Sequence, residues 1–386
     1  MDFTTRRERR GTAATKWEKY AGTDILPFWV ADMEFETAEP ILEALHRRVD
    51  HGILGYTTVP ESLTEATLAF LQTRYGWVAD PSWIVWLPGV VPGFNLACRC
   101  AGAPGDHVMM TTPVYYPFFA APENGGRQRI EVPLVRDGSE WVMDFDALEA
   151  AVTPATRLFL LCNPQNPTGR VYRSEELEAL GAFAERHDLL LCSDEIHAEL
   201  LLTEERTHQP IAQLSDALAA RTITLMAPTK TFNIPGLPCA FAIIPSPTLR
   251  RRFREAQSGL VPSVGPLAYA AAEAAYRHGE PWRQGLLARL RENHAQMQAA
   301  VAALPGVETT PVEATCLAWL DVRALELTDP LAHFESHGLG LSPGEPFGDG
   351  NFLRLNFGCS PAMLAEGLKR LTAGVAAAGN GRRPSA

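Results

Sequence analysis

Six short apolar runs punctuate the first two thirds of the chain: "WIVWL" (83–87), "HVMMT" (107–111), "TRLFLLC" (156–162), "DLLLCS" (188–193), "RTITLM" (221–226) and "AFAII" (240–244). In most of them the apolar residues are consecutive rather than alternating, the pattern of strands buried on both faces. Segments of helical period lie between several of them, such as "SEELEALGAFAERH" (174–187) and "DFDALEAAV" (144–152). That rhythm predicts an α/β fold with a largely parallel sheet between helices.

The texture changes near residue 275. "EPWRQGLLARLRENHAQMQAAVAAL" (280–304) reads as a long amphipathic helix able to bridge two domains. After it come "TCLAWLDV" (315–322), the Gly/Pro-rich "GLGLSPGEPFGDGNF" and "LRLNFG" (353–358). The expected organisation is a large domain over 46–275, a smaller α/β domain from 1–45 with 276–378, and a solvated tail over 379–386. No internal repeat interrupts it.

At 386 residues the chain suits about two domains. Hydrophobic residues at 46% and charged residues at 20% are ordinary for a soluble globular protein. The net charge of −11 argues against nucleic acid or an anionic membrane as partner. The basic start, "MDFTTRRERRGTAATKW", lacks the apolar stretch of a secretory signal, and no run reaches the ~18 apolar residues of a membrane span. Among seven cysteines, Cys98, Cys162, Cys192, Cys239 and Cys316 sit in apolar surroundings, as buried thiols of a reducing compartment do. No Cys-x-x-Cys occurs, and the histidines have no zinc-ligand spacing. A cytoplasmic, metal-free enzyme is the expectation.

Polar residues follow the apolar runs directly, where open α/β sheets place ligands. Asn163 and Asn166 follow one run, Asp194, Glu195 and His197 a second, and Lys230 a third. Lys230 is the only charged residue among the 28 from Thr222 to Leu249. In "WLPGVVPGFNLA", Gly89 leads a turn into a helix whose free N–H groups suit a phosphate. Taken singly, an Asn-Pro is a turn, a strand-end aspartate a helix cap and a lone lysine a snorkelling side chain. Together, an amide, a carboxylate and an isolated lysine at neighbouring strand ends describe a site.

The set resembles a pyridoxal 5′-phosphate (PLP) site, in which a lysine forms a Schiff base and a carboxylate keeps the pyridine nitrogen protonated. An uncharged setting lowers the lysine pKa and makes it a nucleophile and base near neutral pH. "NPTGR", "SDEIH", "TKTFNIPGL" and "LRLNFG" follow the order of fold-type I PLP enzymes of the class I/II aminotransferase family, and the resemblance spans nearly the full chain. "KWEKYAGTDILPFWVADMEF", "HGILGYT", "GVVPGFNLA" and "TPVYYPF" are similar to its carbon–sulfur β-lyase branch (cystathionine β-lyase, MalY/PatB-like). The resemblance implies the PLP-dependent transferase fold, with a mostly parallel seven-stranded sheet in the large domain.

It also implies roles. Lys230 is the Schiff-base lysine, Asp194 the pyridinium partner, Asn166 the donor to the ring hydroxyl oxygen, and Tyr115 the residue stacked on the ring. The backbone N–H groups of Val90 and Val91, with hydroxyls such as Thr229 or Thr231, hold the phosphate. Tyr56 reaches the phosphate of a neighbouring subunit, which implies a homodimer. Arg354 clamps the α-carboxylate of an amino-acid substrate, with Ala31, Asp32 and Asn163 at the substrate end. Two positions depart from the aminotransferase pattern: His197 stands where a tyrosine is usual, and Pro238 where many members carry a phosphate-binding arginine.

The implied reaction is α,β-elimination of L-cystathionine or a cysteine S-conjugate to a thiol, pyruvate and ammonia. Transamination shares its first steps and is the alternative; a PLP-binding regulatory protein is a third. "GLSPG" (340–344) mimics a hydrolase nucleophile elbow, but Pro343 has no N–H to offer an oxyanion, so a structural loop is expected. "TKT" lacks the glycines of a phosphate loop.

Overall fold

A strand whose residues are all apolar is stable only where helices cover both of its faces. In the computed structural model, which describes residues 2–380, the six apolar runs become strands β1 (Ile84–Leu87), β2 (His107–Thr112), β4 (Thr156–Cys162), β5 (Leu190–Asp194), β6 (Thr222–Met226) and β7 (Ala240–Ile243). With β3 (Gln128–Pro133) they form one seven-stranded sheet in the order β1-β7-β6-β5-β4-β2-β3. All neighbours pair parallel except β7, which runs antiparallel to both β1 and β6. Every residue of β6 is buried, Thr222 and Thr224 among them.

The seventh strand, β3, carries no apolar run. It lies at the sheet edge, where only Val132 of its six residues is buried. An edge strand with one wet face needs no hydrophobic pattern, so its sequence is silent.

The expected helices form as Phe145–Ala151, α2 (Ser174–Arg186) and α3 (Glu280–Ala302). The turn at Gly89 opens α1 (Val90–Cys100). Trp282, Leu286, Leu290 and Met297 of α3 join a core with Phe3, Trp17 and Phe28 from the start of the chain and Leu317 to Leu371 near its end. A second sheet, order β8-β9-β11-β10, is antiparallel throughout and comprises β8 (Glu308–Thr309), β9 (Leu317–Asp321), β10 (Ser342–Pro343) and β11 (Phe352–Asn356). Trp319 of β9 stacks on Phe352 at 5.1 Å, and both rings belong to the core beneath the large sheet. The two sheets are thereby held in one packed body.

The Gly/Pro-rich segment is more ordered than a loop. Leu339–Gly340 pairs parallel with Leu26–Pro27, and Ser342–Pro343 is a strand of the small sheet. The last helix, Pro361–Asn380, runs two residues into the segment expected as a tail, since the alanine-rich sequence before it favours helix. The remainder of that segment lies outside the described residues. Among the described residues no helix is long and apolar enough to cross a membrane.

α1 lies directly on the sheet, and Gly93 permits the approach. A Cβ there would sit 2.8 Å from Leu225 Cδ2 and 3.1 Å from Leu87 Cδ1, and both leucines are fully buried. Gly93→Val is therefore expected to cost about 1–3 kcal/mol through overpacking, read as a lower urea midpoint with an unchanged slope.

Candidate active site

Strand alternation and the shared direction of β1, β2, β4, β5 and β6 gather polar groups at one end of the sheet. A cleft of about 650 Å³ opens there, lined from the sheet by Gly89, Val90, Val91, Tyr115, Asn166, Asp194, His197, Thr229 and Lys230. Trp29, Val30 and Ala31 of the N-terminal segment and Ser342, Phe347 and Arg354 of the smaller sheet region close it. Asp194 ends β5, flanked in register by Cys162 of β4 and Leu225 of β6.

Three charged groups in this cleft make no ion pair with any side chain among the described residues: Asp194, Lys230 and Arg354. Lys230 donates to the Ala31 carbonyl at 2.8 Å. Burial lowers its pKa, and the Arg354 charge adds to the effect, against the pull of Cys316, Asp32 and Asp194. Asp194 accepts the Ile196 N–H at 3.1 Å. Burial pushes its carboxyl up to about 7, with the Glu195 charge adding to the rise. His197, also buried, is depressed to about 3 by burial and by the Lys230 and Arg354 charges, so its imidazole is neutral.

Arg354, in β11, is aimed by neutral partners. Its Nη1 donates to Asn166 Oδ1 at 2.9 Å and its Nη2 to the Trp29 carbonyl at 3.0 Å, while the guanidinium lies 4.5 Å from the Phe347 ring centre. Burial lowers its pKa to about 10, still far above neutral. A buried cation without a carboxylate is a receptor for an anion.

These residues fit PLP. An orphaned carboxylate in a dry cleft lacks only a cationic N–H such as the pyridinium offers. An anion has a seat at the start of α1, where Gly89, at φ 152°, turns the chain and no side chain caps the helix. Pro92 has no N–H, which leaves those of Val90 and Val91 for the phosphate. Pro238 lines the cleft without charge, where an arginine was absent from the sequence. No grouping of three or more His, Cys, Asp or Glu residues arranged for a metal ion occurs among the described residues.

Ten of the expected site residues thus meet in the cleft: Lys230, Asp194, Asn166, Tyr115, His197, Val90, Val91, Thr229, Arg354 and Ala31. Three are placed elsewhere. Asn163, expected at the substrate end, is wholly buried, and its Oδ1 accepts the Tyr172 N–H at 3.2 Å; it stitches the loop that presents Asn166. Asp32, also expected there, turns its carboxylate away to Arg9 at 2.7 Å, because two cations lie on that side of the segment. Tyr56 is fully exposed and outside the cleft of its own chain.

The sequence reading missed Trp29, Ser342 and Phe347. Ser342 belongs to the discarded "GLSPG" motif. Its hydroxyl donates to the Trp29 carbonyl at 2.7 Å, which makes it a brace for the cleft wall and not a nucleophile.

The wall itself, residues 29–35, is held by its backbone. Asn356 donates to the carbonyls of Val30 and Asp32, and Asn233 bonds the N–H of Met33 and the carbonyls of Met33 and Phe35. Beneath it Lys16 is buried, donating to the Asp32 carbonyl at 2.9 Å and pairing with the buried Glu34 at 3.0 Å. Arg9 bridges Asp32 and Glu34, and the Trp17 indole donates to Glu34.

Comparison with known proteins agrees with this geometry. Residues 23–371 match the family described as Aminotransferase class I and II. The chain is 40% identical to cystathionine beta-lyase PatB of Bacillus subtilis (strain 168) over 97% of its length and 99% of the relative's. The crystal structure of OvoB superposes with a TM-score of 0.95 at 46% identity, covering 97% of this chain and 99% of that one. Cystalysin from Treponema denticola, whose crystal structure contains a pyridoxal 5′-phosphate cofactor, superposes with a TM-score of 0.93 at 32% identity, with the same coverage.

Removing Lys16 takes from the buried Glu34 carboxylate its buried cation and leaves it with Arg9 and the Trp17 indole. Lys16→Met is expected to cost about 1–3 kcal/mol in chemical denaturation, and adding Glu34→Gln to recover part of it.

Proposed function

We propose that this chain, which belongs to the class I and II aminotransferase family, is a PLP-dependent carbon–sulfur β-lyase that converts L-cystathionine or a cysteine S-conjugate to a thiol, pyruvate and ammonia. The observation that carries the proposal is the convergence in one cleft of Asp194, Lys230 and Arg354, none of which makes a side-chain ion pair among the described residues. His197, standing where aminotransferases usually have tyrosine, and the lyase-like N-terminal segment support elimination over transamination. So do the lyase names of PatB and of the carbon–sulfur lyase from Staphylococcus hominis, 30% identical.

When bound, PLP supplies an electron sink conjugated to the substrate Cα. The chain's residues do the rest. Asp194 holds a proton at the ring nitrogen. Tyr115 would lie against the ring, Asn166 would serve its hydroxyl oxygen, and the N–H groups of Val90 and Val91 with Thr229 would hold the phosphate. Arg354 binds the α-carboxylate as a fork, which fixes the direction in which the Cα–H bond points. Lys230, whose burial favours the uncharged amine, takes that proton.

The exposed stretch carrying Val49, Ile53, Leu54 and Tyr56 supports a homodimer in which Tyr56 reaches the partner's site. Seven free, buried thiols support a cytoplasmic location. We take 46–275 as the large domain and 1–45 with 276–378 as the smaller, a division supported by the span of the two sheets.

Purified protein incubated with L-cystathionine or S-alkyl cysteines is expected to release pyruvate and thiol in equal amounts. Rapid turnover with 2-oxoglutarate as amino acceptor, and no pyruvate, would instead establish the aminotransferase. Lys230→Ala is expected to lower kcat by about 10²–10⁴-fold. Arg354→Lys keeps the charge but loses the fork, and kcat/KM is expected to fall on the order of 10²-fold, mainly through KM.

A further inference from the structure

Taking a guanidinium out of water is costly unless something negative faces it. Arg354 is buried, and its hydrogen-bond acceptors are all neutral: Asn166 Oδ1 at 2.9 Å, the Trp29 carbonyl at 3.0 Å and the Ser342 hydroxyl at 3.4 Å. Its Nε has no acceptor among the described residues. What lies against the guanidinium is a ring. Its central carbon stands over Phe347, 4.5 Å from the ring centre. The face of an aromatic ring is the negative part of its quadrupole, so it attracts a cation without using any N–H group. A carboxylate in that place would attract more strongly, and it would also fill the N–H groups that a substrate carboxylate has to reach. Three contacts keep the ring where it is. Phe347, buried at the end of the short turn Glu345–Phe347, gives its carbonyl to the Val114 N–H at 3.0 Å. Trp319 meets its ring at 5.6 Å, and Tyr116 meets it edge-on at 5.9 Å.

We propose that Phe347 is a positioning residue for Arg354: its ring face, standing where a carboxylate would otherwise be needed, holds the guanidinium in the cleft as an unpaired cation, so that the α-carboxylate of a substrate meets no competing anion there. The ring acts on binding and takes no part in moving a proton. Tyr116 and Trp319 act on Arg354 only through it, by fixing the ring.

The proposal rests on reading Arg354 as the receptor of the substrate carboxylate, and its test separates the two. The holoenzyme is titrated, by the absorbance of its cofactor, with L-alanine and with ethylamine, which is L-alanine without its carboxylate. Phe347→Leu keeps an apolar side chain but removes the ring face. Its Kd for L-alanine is expected to rise about 3–30-fold, the range of a desolvated cation–π contact, while that for ethylamine stays within about twofold. With an S-alkyl cysteine, KM is expected to rise by a similar factor and kcat to hold, because the carboxylate is bound alike in the ground and transition states. Since Phe347→Leu also loosens the packing around Trp319, a second series keeps the shape of the ring. Phenylalanines carrying one, two and three fluorines, placed at position 347, drain the ring face stepwise, and Kd for L-alanine is expected to climb with each fluorine. A merely structural role predicts no such series. An L-alanine Kd that stays flat across the fluorinated rings overturns the proposal, as does an equal weakening of ethylamine. An Arg354→Gln holoenzyme that binds L-alanine as tightly as the wild type defeats the reading of Arg354 itself.

Discussion

In a medium of low effective dielectric, opposite charges about 4 Å apart attract by several kcal/mol, so an ammonium and a carboxylate placed in one dry cleft collapse together unless rigid elements keep them apart. Asp194 sits at the end of β5, Lys230 just beyond β6 and Arg354 on β11 of the other sheet, each on a different element. Each is aimed by neutral partners: the Ile196 N–H, the Ala31 carbonyl, and Asn166 with the Trp29 carbonyl. Neutral hydrogen bonds hold direction without cancelling charge. That separation is what leaves the amine, the carboxylate and the guanidinium available to a cofactor and a substrate.

The segment from Trp29 to Phe35 supplies two of those neutral partners, and it has little regular structure of its own. Its carbonyls are held in turn by Ser342, Asn356, Asn233 and Lys16, drawn from the smaller sheet, the segment between β6 and β7 and the start of the chain. A wall built this way has no ladder to fall back on, so its geometry depends on buried side chains far away in sequence. Beneath it the charges of Arg9, Lys16, Asp32 and Glu34 pair with one another and, among the described residues, with none of Asp194, Lys230 and Arg354.

How much of this could be read beforehand follows from where each signal resides. Strands buried on both faces announce themselves by composition, so six of the seven were legible and the edge strand β3 was not. Lys230 stood out because it is alone among 28 residues, and strand-end placement marked Asp194 and Asn166. Side-chain direction in loops was not legible. Asn163 and Asn166 share one loop and similar chemistry, yet one stitches it and the other enters the cleft. Asp32 fails for the same reason: nothing in "WVADM" says that Arg9 and Lys16 wait on its other side. Ser342 was passed over because its motif suggested a nucleophile and then lost that meaning, although its real partner is a carbonyl 313 residues away.

The SDEIH stretch shows how one short motif divides its labour. Four of its residues carry polar side chains, and the backbone sorts them by parity and turn. Asp194 and His197 line the cleft, while Ser193 and Glu195 face His208. One strand end therefore serves two places at once, a cleft on one side and a buried hydrogen-bonded group on the other, because alternation and the turn after Asp194 send neighbouring side chains apart.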